Sequence, residues 1–218
     1  VPLPVNPATA TGTFRVEVDL EGNPPTPLAD DIFSVLPPAP VAGQNAPIGA
    51  HIDYVSPDRG FMRAGGVGWT KTWYLTWGYL EPPTTGGAAK PADSSAAASF
   101  TANQVTVADD FLTGWKNSGL NVLAILGNAP AHRQKRPSNG GTAWKGYPPL
   151  NEAALADYVT KVATQFGSKV DAWELENEPD HFLAGADGLT AVESYAKMAL
   201  IMVKALRAVR PGARVLLG

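Results

Sequence analysis

Residues 12–20, GTFRVEVDL, alternate without a break. Phe14, Val16, Val18 and Leu20 fall on one face, and Arg15, Glu17 and Asp19 on the other. A period of two predicts a half-buried β-strand. DIFSVLPP, at 31–38, is its candidate partner. Two strands alone are not stable in water. The segment therefore reads as the remnant of a β-sandwich, or as a strand pair leaning on a larger domain. PPAPVAGQNAP, at 37–47, reads as a Pro-rich linker.

From residue 47 the pattern becomes strand, long loop, helix, repeated. Strands are predicted at 48–54 (IGAHIDY), 69–77 (WTKTWYLTW), 120–128 (LNVLAILGN), 169–178 (KVDAWELENE) and 213–218 (ARVLLG). A low-complexity insertion separates the second strand from the first long helix, between Pro82 and Phe100. That helix is expected near 107–118, opened by Thr106 and Asp109 at capping-box spacing and stopped by Gly119. A second helix, at 152–166, places Leu155, Tyr158, Val159, Val162 and Phe166 on one face. A third is opened by Thr190 and Glu193 and stops before Pro211.

Strands alternating with helices predict right-handed βαβ units and a parallel sheet. A doubly wound nucleotide binder needs a Gly-rich turn between its first strand and a helix. The glycines of YVSPDRGFMRAGGVGW precede a strand instead. Polar and aromatic residues gather after the C-terminal ends of the strands, which is the functional face of a (β/α)8 barrel. The expected organisation is thus a β segment and linker at 1–46, then at 47–218 the first five strands of a TIM barrel.

Composition narrows the function classes. The 218 residues carry a formal net charge of −3, which disfavours nucleic acid as the main partner. No apolar run approaches the roughly 20 residues of a membrane span. VPLPVNPATA has neither the charged start nor the apolar stretch of a signal peptide. With no cysteine, disulfides and thiolate metal sites are excluded.

The chemistry concentrates in WELENEPD, 173–180. Strand parity puts Glu174, Glu176 and Glu178 on one face and Trp173, Leu175 and Asn177 on the other. With Trp173 and Leu175 toward the helices, the glutamates point into the barrel at three depths. Glu178 is outermost and Glu174 deepest. A buried carboxylate needs a partner, and Lys71 on the second strand is the candidate for Glu174. Glu176 and Glu178 make a poor two-carboxylate glycosidase pair, because neighbours on one strand approach a sugar from one side.

Asn177-Glu178-Pro179, preceded by WELE on a fourth strand, resembles the Asn-Glu-Pro signature of clan A retaining glycoside hydrolases. WTKTWYLTWGYLEP is similar to the second-strand region of family 39 and its relatives. YPPLNEAALADYVTKVATQFGSKVDAWELENEPD is similar to their helix-three-to-strand-four stretch, and PGARVLLG to their fifth strand. The resemblance spans about residues 47–218. It implies that Glu178 is the general acid/base, that Asn177 hydrogen-bonds the sugar 2-hydroxyl, and that His51 lies near a strand-one sugar contact. Family 39 often has tryptophan where this chain has Glu176, which points to a polar or basic neighbour there. The family's nucleophile is a glutamate at the end of strand seven. It is therefore expected on polypeptide beyond residue 218 or on another chain, and these residues alone are expected to be inactive.

Further sugar contacts are expected from Glu176, from Trp77 at the end of strand two, from Trp144 with Tyr147 in the third loop, and from His132 and His181. Glu178 is expected to be held protonated by burial or by Glu176. Arg133, Lys135 and Arg136 read as a solvated run or as a site for an acidic sugar, and Glu81-Pro82 as structural. Trp115 and Trp173 fit core positions. The expected protein is secreted or extracellular, acts on an oligo- or polysaccharide, and uses no cofactor and no metal. Two other readings stay open: a catalytically silent carbohydrate-binding protein, and a metal-dependent hydrolase using the three histidines with Asp53 and Asp180.

Overall fold

A computed structural model describes strands 12–20, 26–35 and 49–51 through their backbone, and residues 67–85, 88–138 and 145–218. The alternating segment forms β1 (Gly12–Leu20), paired antiparallel with β2 (Thr26–Val35). Phe14 lies opposite Phe33, and the register slips between Val18 and Asp19. Then come β3 (Gly49–His51), β4 (Trp69–Thr72), the one-turn helix α1 (Trp77–Leu80), and the short antiparallel pair β5 (Thr84–Thr85) and β6 (Ala88–Ala89). Helix α2 (Ala102–Asn117), β7 (Asn121–Leu126), α3 (Glu152–Phe166), β8 (Ala172–Leu175), α4 (Pro179–Phe182), α5 (Ala191–Val209) and β9 (Val215–Leu217) complete the order.

β3, β4, β7, β8 and β9 form one parallel sheet whose strands are neighbours in chain order. A doubly wound sheet reverses its order at a switch point; this one does not. Strand parity sorts the two faces. Val122, Ala124, Leu126, Trp173 and Leu175 enter the helical core with Leu112, Trp115, Leu155, Tyr158, Phe166, Met202 and Leu206. Lys71 and Glu174 fall on the opposite face. Helices cover one face and the charged pair stands on the other, as in a partial (β/α)8 barrel of five strands.

Helix starts follow local chemistry. The Asn151 side chain caps α3 by accepting from Ala153 N, and Thr190 with Glu193 forms the expected capping box on α5. Gly119, at φ 76, takes the left-handed turn after α2. The start of α2 differs from expectation. The helix begins at Ala102, and the Thr106 hydroxyl donates to Ala102 O inside it. Its apolar stripe begins at Val105 and runs through Ala108, Leu112 and Trp115, so packing extends the helix past the apparent cap.

The low-complexity insertion is fastened down by a buried charge network. Glu81 is 1% exposed and Arg133 2%. Glu81 Oε1 meets Arg133 Nε at 2.8 Å and His132 Nε2 at 2.9 Å. Its Oε2 accepts from Trp77 Nε1 at 2.9 Å and Ser99 N at 2.8 Å. The remaining Arg133 nitrogens donate to Ser95 and to Ala97 O, and pair with Asp93. A buried ion group is tolerable only when its hydrogen bonds are met in this way. The expected basic run is therefore broken up. Arg133 is core, Lys135 pairs with Asp187, and the Arg136 guanidinium lies 5.8 Å over the Tyr147 ring.

Candidate active site

β8, buried along its whole length, stops at Leu175. Glu176 has φ 60 and Glu178 φ 45, both in the left-handed region. The strand does not reach residue 178, and the three glutamates do not share one face at successive depths. A left-handed residue on either side of Asn177 turns the chain, and each carboxylate meets different surroundings.

Glu174 points to the barrel interior, 8% exposed, with Lys71 Nζ at 2.7 Å. The expected counter-ion is in place. The same ammonium donates to Asn177 Oδ1 at 2.8 Å. Glu176 is also 8% exposed, and its carboxylate lies over Gly127. Both its oxygens face Asn128 N, at 3.0 and 2.9 Å, and its own N–H donates to Leu126 O at 2.7 Å. Burial pushes its carboxyl up to about 7, while the Asn128 N–H pulls the other way. Glu178 is exposed. Its carbonyl accepts from His181 N and Phe182 N, so it opens α4, with Pro179 at the favoured first position. The carboxyl that burial raises is Glu176; Glu178, expected to be held protonated by burial or by Glu176, is exposed.

These residues border a cavity of about 420 Å³ at the C-terminal ends of β4, β7 and β8. Glu176, Asn177 and Glu178 line it from just past β8, Asn128 from just past β7 and Trp73 from just past β4, together with Tyr147, Phe182 and Leu183. The C-terminal face of a parallel barrel is where its chemistry sits. Backbone strain marks the same place. Among the described residues the non-glycine positions at positive φ are Asn128, Glu176, Glu178 and Asp187, and the first three line this cavity. Each costs roughly 1–3 kcal/mol, a cost that clusters at functional sites.

The other sequence candidates scatter. Trp77 is no sugar platform. β4 ends at Thr72, and Trp77 is fully buried at the start of α1, stacked on Tyr158 at 5.2 Å. His132 is 6% exposed and held by Glu81, out of reach of a substrate. His181 is exposed on α4, 3.7 Å from Asp180. The side chain of His51 and all of Trp144 and Asp53 lie outside the described residues. Among the described residues, no group of three His, Asp or Glu side chains is arranged to hold a metal. Trp73 was missed. It shares the parity of Trp69 and Lys71, a signal the sequence did carry. Asn128 was missed as well; the Gly-Asn pair after a buried strand was its only trace.

No family model and no curated protein matches the chain. Solved structures do match it. A family 39 glycoside hydrolase from the gut symbiont Bacteroides cellulosilyticus WH2 aligns over 96% of the chain at 17% identity, TM-score 0.60. The exo-β-1,4-mannosidase Op5Man5 from Opitutaceae bacterium strain TAV5 aligns over 79% at 16% identity, TM-score 0.54. The chain spans 39% and 32% of those two proteins. Its fold is similar to part of the fold of these two proteins.

Proposed function

We propose that this chain supplies the acid/base side of a retaining O-glycoside hydrolase acting on an oligo- or polysaccharide. One observation carries the reading. Asn177-Glu178-Pro179 stands at the end of the fourth barrel strand, with the exposed Glu178 at the edge of the cavity.

The chemistry follows from one carboxyl in two states. As an acid, Glu178 gives its proton to the glycosidic oxygen while the anomeric C–O bond breaks. A second carboxylate, on the polypeptide that completes the barrel, attacks the opposite face and forms a glycosyl ester. Glu178, now a carboxylate, takes a proton from water. That water attacks the anomeric carbon and frees the second carboxylate. Two inversions leave the configuration retained. Glu176 and Glu178 are not that pair on this reading: Glu176 is turned onto Asn128 N and Glu178 faces out.

The test uses the intact protein and the 4-nitrophenyl β-glycosides of xylose, glucose, mannose and galactose. Hydrolysis of at least one is expected, with kcat falling by about 100-fold or more in Glu178→Gln. Equal activity of wild type and variant rejects the assignment. Binding of these sugars without turnover would instead support a carbohydrate-binding protein.

A further inference from the structure

We propose that Lys71 is a positioning residue: it fixes the Asn177 side-chain amide so that Asn177 meets the substrate as a hydrogen-bond donor. The inference rests on reading the cavity as the sugar site. An ammonium group only donates. The Asn177 atom 2.8 Å from Lys71 Nζ is therefore the amide oxygen, and the NH2 group is left for other partners. Among the described residues Asn177 Nδ2 donates to no protein atom, and Asn177 lines the cavity. Whatever substrate atom faces that amide must carry a lone pair, as a sugar hydroxyl does.

Lys71 is itself fixed. It rises from β4, and Glu174, two strands away on β8, holds it at 2.7 Å. The buried carboxylate thus acts through Lys71 on Asn177, three residues further along the chain. This gives Glu174 a purpose that a solitary buried charge would lack. It would also hold the Asn177 side chain between two left-handed residues, where no strand pairing fixes it.

The test is nuclear magnetic resonance on intact protein labelled with 15N-asparagine, with Asn177→Asp identifying the Asn177 signal. In wild type the Asn177 NH2 should be as ordered as the backbone. A mobile Asn177 amide in wild type overturns the proposal without any variant. Glu174→Gln keeps the ammonium and leaves a side-chain oxygen that still accepts from it, whereas Lys71→Met/Glu174→Gln removes both charges and strands neither. Order should persist in the first and vanish in the second. On the best 4-nitrophenyl glycoside, kcat/KM of the double variant should lie about tenfold or more below that of Glu174→Gln. Lys71→Arg, which still donates, should recover most of the loss. Equal order and equal kcat/KM in the single and double variants contradict the positioning role. If no glycoside is hydrolysed but the order follows this pattern, the proposed reaction falls and the role of Lys71 stands.

Discussion

Glu176 turns both carboxylate oxygens onto one backbone N–H, that of Asn128, at 3.0 and 2.9 Å. One N–H offsets only part of the cost of burying a carboxylate. Burial therefore raises the group from 4.5 to about 7. Because the folded value is the higher one, the folded state holds the proton more tightly. The associated stability is complete below pH 4.5 and is lost as pH rises through about 7. The swing is on the order of 3 kcal/mol. Glu176→Gln keeps an acceptor for Asn128 N and has no charge to bury. Chemical denaturation at pH 5 and pH 8 should show wild type weakening between them and the variant changing much less.

Gly127 answers to the same carboxylate. Its φ is 116, and a Cβ there would collide with the Glu176 side chain. Gly127→Ala should cost about 2 kcal/mol or more, from strained backbone and overpacking together. Adding Glu176→Ala removes the collision but not the strain. Part of the lost thermal stability should then return; no return would mean the contact is not what excludes a side chain.

Two tryptophans four residues apart should behave oppositely. Trp77→Phe keeps the stack on Tyr158 and loses the bond to Glu81, so it should cost about 1–3 kcal/mol of stability with KM unchanged. Trp73→Ala, in the cavity wall, should raise KM about three- to tenfold. Urea melts and steady-state kinetics on both variants check the pair.

Arg133→Met should cost about 3–5 kcal/mol, because it leaves Glu81 buried with fewer donors. It also frees the stretch that Ser95 and Ala97 anchor. Limited proteolysis should cut near 93–99 in the variant first. Burial raises the Glu81 carboxyl, but hydrogen bonds from Ser99, Trp77, His132 and Arg133 outweigh it and hold the group below its ordinary range. The stability this confers is present at neutral pH and is lost as pH falls through the lowered value. The gap between wild type and variant should therefore narrow in acid.

Most of the fold was legible because it is periodic. The runs at Asn121–Leu126 and Ala172–Leu175, the α3 stripe and the Thr190–Glu193 box each state their structure locally. Errors arose where a strand stopped. Parity carried through Glu178 and Trp77 as if β8 and β4 continued, and nothing local announces a left-handed glutamate. The Lys71–Glu174 pair was readable because a buried carboxylate demands a cation. The Lys71–Asn177 bond and the Arg133 network were not, since they join residues 106 and 52 positions apart.

The central claim is that Glu178 is the acid/base, and azide tests it most directly. Azide is anionic and attacks a glycosyl ester without a base to deprotonate it. In the intact protein, Glu178→Ala should hydrolyse a 4-nitrophenyl glycoside slowly. Added azide should restore turnover and yield the glycosyl azide with the configuration of the substrate retained. Unchanged hydrolysis in Glu178→Ala, or lost hydrolysis that azide does not restore, would contradict the account.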